Sequence, residues 1–176
     1  MPAFPRDEME EMMRRWIQAN ADAEAAGDWR PMAEFYTADA EYTWNCGPSE
    51  EFIARGRAEI RDWVLGTEME GLEGWEYPYD KVLIDDRQGE MVAFWRQLAP
   101  VKRDDGTPYQ VAGVGGSWFR YAGKYKWSWQ RDFFDYGNAG TLFLELMQAG
   151  KLSAGMQKRM EQGMAGVLAP GHVKVR

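Results

Sequence analysis

Between residues 75 and 136 the chain reads as four long extended segments, at 75–85, 90–102, 109–121 and 125–136. Each is rich in aromatic and β-branched residues, with apolar side chains recurring at every second position, the period of a pleated strand. The breaks between them, Asp86-Arg87-Gln88-Gly89, Asp104-Asp105-Gly106 and Ala122-Gly123-Lys124, carry the residues that join antiparallel neighbours. Strands this long cannot lie flat; their right-handed twist accumulates and the sheet curls. A curled sheet has a concave face, and something must fill it.

The segments before the sheet supply the filling. Residues 6–26 predict a helix, with Met9, Met12, Met13, Trp16, Ile17 and Asn20 on one face at helical spacing. Acidic residues crowd its start, as the helix dipole favours, and Gly27 ends it. Asp28 can cap a second helix over 29–36, with Met32, Phe35 and Tyr36 inward. Residues 40–46 look extended and Gly47-Pro48 closes them; a third helix spans 58–65 with Ile60, Trp63 and Val64 apolar. Residues 142–147 open a final helical segment that 151–164 extends, with Leu152, Met156 and Met160 at spacing four. From Ala169 onward the sequence reads as a flexible tail, 169–176. Helices first and a long antiparallel meander after them predict one α+β domain over residues 1–168.

Composition narrows the function. The formal charge is −7, which disfavours nucleic acid as the main partner. No run of residues reads as a membrane span. The single cysteine, Cys46, rules out an internal disulfide framework, fits a reducing cytoplasm, and reads as inert because no histidine or helix start stands beside it in sequence. The one histidine, His172, falls in the expected tail. On that reading Ser-His-Asp and Cys-His catalysis and histidine-ligated metals are excluded, and no metal or cofactor is expected. Gly113-Val114-Gly115-Gly116 lies inside an apparent strand and opens no helix, so it is not a dinucleotide loop. Nine tryptophans among 176 residues exceed what a core of this size needs, and point to a cavity or interface of aromatic walls.

The order of elements and a set of short motifs resemble the nuclear transport factor 2-like superfamily, especially its SnoaL-like and limonene epoxide hydrolase-like branches. The motifs are Gly27-Asp28-Trp29, Phe35-Tyr36-Thr37-Ala38-Asp39-Ala40, Gly56-Arg57-Ala58-Glu59-Ile60 and Arg131-Asp132-Phe133-Phe134-Asp135, and they cover roughly residues 6–140. The resemblance implies a cone-shaped, curved, mostly antiparallel sheet with the N-terminal helices packed in its concave face. It also implies a homodimer through the outer sheet face. Its members include isomerases, dehydratases, cyclases, epoxide hydrolases and non-catalytic binding proteins, so the fold alone leaves the activity open.

Site residues carry over one at a time. Asp132 matches the catalytic base of the epoxide hydrolases and Arg96 their arginine, while Leu98 stands where their general acid would be. Tyr42 matches a water-binding tyrosine; the neighbouring asparagine position falls on Trp44, or on Asn45 after a one-residue shift. The alternation leaves open whether Asp132, on a face with Ser128, Gln130 and Phe134, or Asp135, on a face with Trp127, Trp129, Arg131 and Phe133, points inward; the resemblance selects Asp132. Arg96, on a face with Val92, Phe94 and Leu98, needs a carboxylate or a ligand, and a pair with Asp132 would satisfy both charges. Asn20 interrupts an apolar helix face, and Tyr36, Trp118 and Trp129 are candidates for the cavity wall. These readings combine into a cofactor-independent acid/base enzyme, of lyase or dehydratase type, acting on a hydrophobic aromatic small molecule. Deformylation of a lignin-derived diarylpropane diol to a stilbene is a specific case. An epoxide hydrolase or isomerase, and a non-catalytic small-molecule-binding module, are the alternatives.

Overall fold

The computed structural model describes residues 2–175; Met1 and Arg176, the outer ends of the expected domain and tail, lie outside the described residues. Helix α1 (Arg6–Ala26) leads into a 3-10 turn (Arg30–Phe35) and strand β1 (Tyr36–Asn45). A hairpin at Cys46 returns the chain as β2 (Glu50–Arg55), followed by the short helix α2 (Gly56–Glu59), which loosens into a π turn (Ile60–Val64). Then come β3 (Tyr79–Asp85), β4 (Glu90–Trp95), β5 (Leu98–Lys102), β6 (Pro108–Gln110), β7 (Gly115–Tyr121), β8 (Trp127–Phe133), α3 (Tyr136–Gln148), α4 (Ala154–Met164) and β9 (His172–Lys174).

Seven strands form one open sheet in the order β3-β4-β7-β8-β1-β2-β9, and β5-β6 form a separate arm. Every pairing is antiparallel except β1 with β8, where the N-terminal half joins the meander. The expected α+β class with a curved, mostly antiparallel sheet and helices on its concave side is the observed one. Among the described residues no helix is long and apolar enough to cross a membrane.

The core divides in two. Met9, Met12, Met13 and Trp16 of α1 pack against Tyr36, Phe119 and Trp127 of the sheet. Trp16 sits edge-on to Tyr36, Phe119 and Trp127, the geometry that ring quadrupoles favour. A second cluster, with Leu72, Trp75, Tyr109, Leu142, Leu146 and Met156, fastens α3 and α4 to the β5-β6 arm. A cavity lies where residues of both clusters face each other.

Several boundaries depart from the sequence reading for local reasons. The expected strand 90–102 breaks at Arg96-Gln97, so β5 leaves the main sheet, and 109–121 breaks likewise into β6 and β7. Strand β2 was not expected. The expected flexible tail is corrected too: Gly171, at φ 88°, turns the chain so that β9 pairs with β2, Phe52 opposite His172. Three residues are too few to show a period in the sequence.

Candidate active site

The register across the sheet builds the floor of the cavity. Met91, Phe119, Gln130 and Tyr42 lie opposite one another in one row of the concave face; Ala93, Ser117 and Asp132 form the next. Small Ala93 and Ser117 leave the space over this second row open, and Asp132 looks into it. A β-bulge in β8, opposite Arg120 and Tyr121, places both Trp127 and Gln130 inward, although strict alternation would oppose them. That bulge decides the parity left open above. Asp132 faces the cavity, and Asp135 caps α3, accepting at 2.9 Å from the Asn138 backbone N–H.

Asp132 accepts three hydrogen bonds: from Tyr42 Oη to Oδ2 at 2.6 Å, and from Ser117 Oγ and Gln130 Nε2 to Oδ1 at 2.6 and 2.8 Å. Each donor is aimed by another group. Trp95 Nε1 donates to Ser117 Oγ at 2.9 Å, which turns the serine hydrogen toward Asp132. Tyr36 Oη donates to Gln130 Oε1, so the glutamine NH2 faces Tyr42 and Asp132, and Gln130 Nε2 also donates to Tyr42 Oη at 2.8 Å. The network leaves Asp132 as the common acceptor, and among the described residues it forms no ion pair.

Burial pushes the Asp132 carboxyl above its ordinary range, while the bonds from Ser117, Tyr42 and Gln130 pull it partly back. Burial and the adjacent Asp132 charge hold the Tyr42 and Tyr36 hydroxyls far above their usual range, so both remain O–H donors. The result is a carboxylate without a counter-cation, solvated by directed dipoles. Such a group is a stronger base than one in water, and accepts a proton without losing an ion pair.

The cavity above it has a volume of about 1190 Å³. Trp16, Trp29, Trp44, Tyr77, Tyr79, Trp95 and Phe134 give it aromatic walls, and Met156, Arg159 and Met160 of α4 lie across it. Two polar features stand out. Trp29 Nε1 is buried with no hydrogen-bond partner among the described residues, an unused indole N–H beside the cavity wall. Asn20 Nδ2 donates to Glu24 Oε1 at 2.8 Å, which also accepts from the Tyr77 backbone N–H at 2.7 Å; burial raises the Glu24 carboxyl. Cys46, Glu50, Glu68 and His172 line the same cavity. Burial disfavours charge on the His172 imidazole, but its hydrogen bonds to Cys46, Glu68 and Glu50 outweigh that and push its pKa up to about 10.

The structure brings Asp132, Tyr42, Asn20, Trp44 and Phe134 to the cavity, with Tyr36 behind them as a buried support. Four expectations are corrected. Arg96 does not meet Asp132; it pairs with Asp80 at 3.0 Å, with 44% of its side chain exposed. Its neighbours Val92 and Phe94 belong to the outer face, so the apolar face it shares is not the inner one. Trp118 and Trp129 lie on that outer face as well, edge-on at 5.2 Å, and Asn45 is exposed. His172 leaves the expected tail to stand beside Cys46, which removes the ground for reading that cysteine as isolated. Ser117 and Gln130 were missed. Gln130 was visible as an amide among aromatics on the chosen strand, whereas nothing local to Ser117 marks it.

Comparison with known proteins bears on the family and the fold. The family model of the SnoaL-like domain matches residues 13–127. No curated protein matches the sequence significantly. Among solved structures, a candidate SnoaL-like polyketide cyclase from Jannaschia sp. CCS1 aligns with a TM-score of 0.58 at 16% identity, covering 77% of this chain and 91% of that one. A nuclear transport factor 2-like protein from Anabaena variabilis gives 0.56 at 16% identity, covering 77% and 95%. TerC, crystallised with polyporic acid, gives 0.52 at 15%, covering 73% and 95%. Fold and family model coincide: the chain belongs to the SnoaL-like domain family and has the fold of nuclear transport factor 2-like proteins.

Proposed function

We propose that this protein is an acid/base enzyme acting on a hydrophobic aromatic small molecule, with Asp132 as the group that takes and returns the proton. The observation that carries this reading is the buried carboxylate without a cation, held by Tyr42, Ser117 and Gln130 at the floor of an aromatic cavity. A structural carboxylate is ordinarily neutralised by Arg or Lys, whereas this one is held by neutral donors, which preserves its basicity. The aromatic walls would hold the rings of the substrate. The family's cyclases and the polyporic acid bound to TerC are consistent with a polycyclic or multi-ring ligand.

The most specific form of the proposal is a lyase that deformylates a diarylpropane diol. From the phenolate form of a 4-hydroxyaryl substrate, the phenolate electron pair expels the benzylic hydroxyl to give a quinone methide, and protonated Asp132 supplies the proton that makes the departing hydroxyl water. The resulting carboxylate then removes the proton of the terminal hydroxymethyl group. Carbon–carbon cleavage releases formaldehyde, and the electron pair re-aromatises the ring to give the stilbene. Diol becomes stilbene, formaldehyde and water, with no net redox change. Epoxide hydrolysis is less well supported, because Leu98 cannot act as the acid and Arg96 lies outside the cavity.

The test is turnover of phenolic diols, aryl carbonyls and epoxides by wild type, Asp132→Asn and Tyr42→Phe, with products identified by mass. Loss of turnover in Asp132→Asn with ligand binding retained is the expected result. Turnover equal to wild type would remove Asp132 from the chemistry, and tight binding of aromatics without turnover of any class would make the protein a binding module. We also propose that two copies associate through the outer sheet face, as the family resemblance implies.

A further inference from the structure

The chain contains one cysteine and one histidine, at positions 46 and 172, and the fold brings them together. Cys46 follows β1, Glu50 opens β2 and His172 opens β9, three neighbouring strands of the sheet. The Cys46 backbone N–H donates to the Glu50 carbonyl at 2.9 Å, so the hairpin holds their side chains side by side. The thiol sulfur, a carboxylate oxygen of Glu50 and an imidazole nitrogen all lie within 4.8 Å of one another.

The ring of His172 is fixed on both sides. Nδ1 stands 2.9 Å from Glu50 Oε1, and Nε2 stands 3.2 Å from Glu68 Oε1. Glu68 is anchored in turn, its Oε2 accepting from Arg159 Nη2 at 2.7 Å. Phe52 packs edge-on against the imidazole at 5.3 Å. A histidine whose second nitrogen donates to an anchored carboxylate is the arrangement that orients metal-binding imidazoles.

We infer that Cys46, Glu50 and His172 Nδ1 form a binding site for a divalent transition metal of the zinc type, with Glu68 as the carboxylate that orients His172. Sulfur, nitrogen and oxygen ligands at about 2.0–2.3 Å from a tetrahedral ion lie roughly 3–4 Å from one another, close to the spacing present here. All of these side chains line the cavity, so the fourth coordination position opens toward it, as in sites that accept a substrate oxygen. The site shares none of the hydrogen bonds around Asp132 and does not rest on the acid/base reading.

Cobalt(II) titration of the untagged full-length protein, followed by absorption, tests the inference directly. With one cysteine in the chain, a thiolate-to-cobalt charge-transfer band can come only from Cys46. The expected result is such a band, with the visible absorption of tetrahedral cobalt, saturating at one equivalent and bleached by zinc. Cys46→Ser should abolish the band and His172→Gln the tight binding. Glu68→Gln should keep the one-to-one stoichiometry while weakening affinity about 10- to 100-fold. Asp132→Asn should bind cobalt as wild type does, which separates this site from the proposed catalytic one. Absence of the band in folded wild-type protein overturns the inference, whatever the variants do. Equal cobalt affinity in wild type, Cys46→Ser and His172→Gln overturns it as well.

Discussion

At the residue scale, Asp132 ties stability to activity in opposite directions. Its carboxyl is raised by burial, so the folded protein holds a proton that the unfolded chain has already lost at the same pH. The native state binds more protons above the ordinary carboxylate pKa, so stability falls as pH rises through the folded value, and the penalty persists at neutral pH. Asp132→Asn removes the buried charge. The expected outcome is a Tm at pH 7 higher by about 2–4 °C, the shift that ~1 kcal/mol makes in a chain of this size, with the gain vanishing below about pH 4. Thermal melts at both pH values check it, and a lower Tm at pH 7 contradicts the sign. Tyr42→Phe does the reverse to basicity. Removing a donor to the carboxylate raises the Asp132 pKa further, so the acid limb of kcat/KM should move up by as much as about one pH unit. Arg96→Ala should leave turnover unchanged, because its partner is the exposed Asp80. Asp132 was legible through the motif around it, but its partners were not. Ser117 reaches it across the sheet, and the bulge that turns both Trp127 and Gln130 inward has no mark in the local alternation.

At the element scale, two close approaches of backbone set the shape of the cavity. Gly71, at φ 84°, lies against the first turn of α4; a Cβ there would stand 2.4 Å from the Met156 backbone nitrogen, and one on Gly155 would stand 2.8 Å from Gly71 Cα. Backbone on both sides cannot yield as a flexible side chain would. Gly155→Ala is therefore expected to lift α4, which carries Met156, Arg159 and Met160 across the cavity. The cost should be about 1–3 kcal/mol, with faster hydrogen exchange over 154–164 and a raised KM at little change in kcat. Unaltered exchange in that helix would show that the approach is looser than described. The glycines at 115 and 116 have a comparable role in β7. The Trp95 ring lies against Gly115 and the Phe133 ring against Gly116, which is the physical reason for a glycine pair inside a strand. The sequence showed α1 nearly to the residue because its inward face repeats from Met9 to Ala23, about four turns. It showed the β5-β6 arm as continuous strand, because a strand that changes sheets keeps its composition.

At the scale of the whole molecule, the sheet has one face fully used and one left bare. The concave face holds α1, the cavity and Asp132; the outer face carries Leu83, Val92, Phe94, Trp118, Trp129 and Phe133 in adjoining strands. Trp118 is 37% exposed, and Glu90, Arg120 and the rings of Trp118 and Trp129 form a compact polar-aromatic group around it. The surplus of tryptophan that suggested a cavity or an interface thus divides between the cavity and this surface, a division that composition cannot make. On the proposal that two copies associate through this face, it would meet itself about a two-fold axis, with Glu90 of one copy opposite Arg120 of the other. Sedimentation at tens of micromolar should therefore show a dimer for wild type. Trp118→Glu, which adds a carboxylate beside Glu90 at the centre of the face, should give a folded monomer, with Asp132 and its donors undisturbed because they lie on the opposite side of the sheet. A monomeric wild type would remove the outer face from the assembly. A Trp118→Glu variant that remains dimeric would move the interface to another surface, and the β2-β9 edge would be the next one to vary.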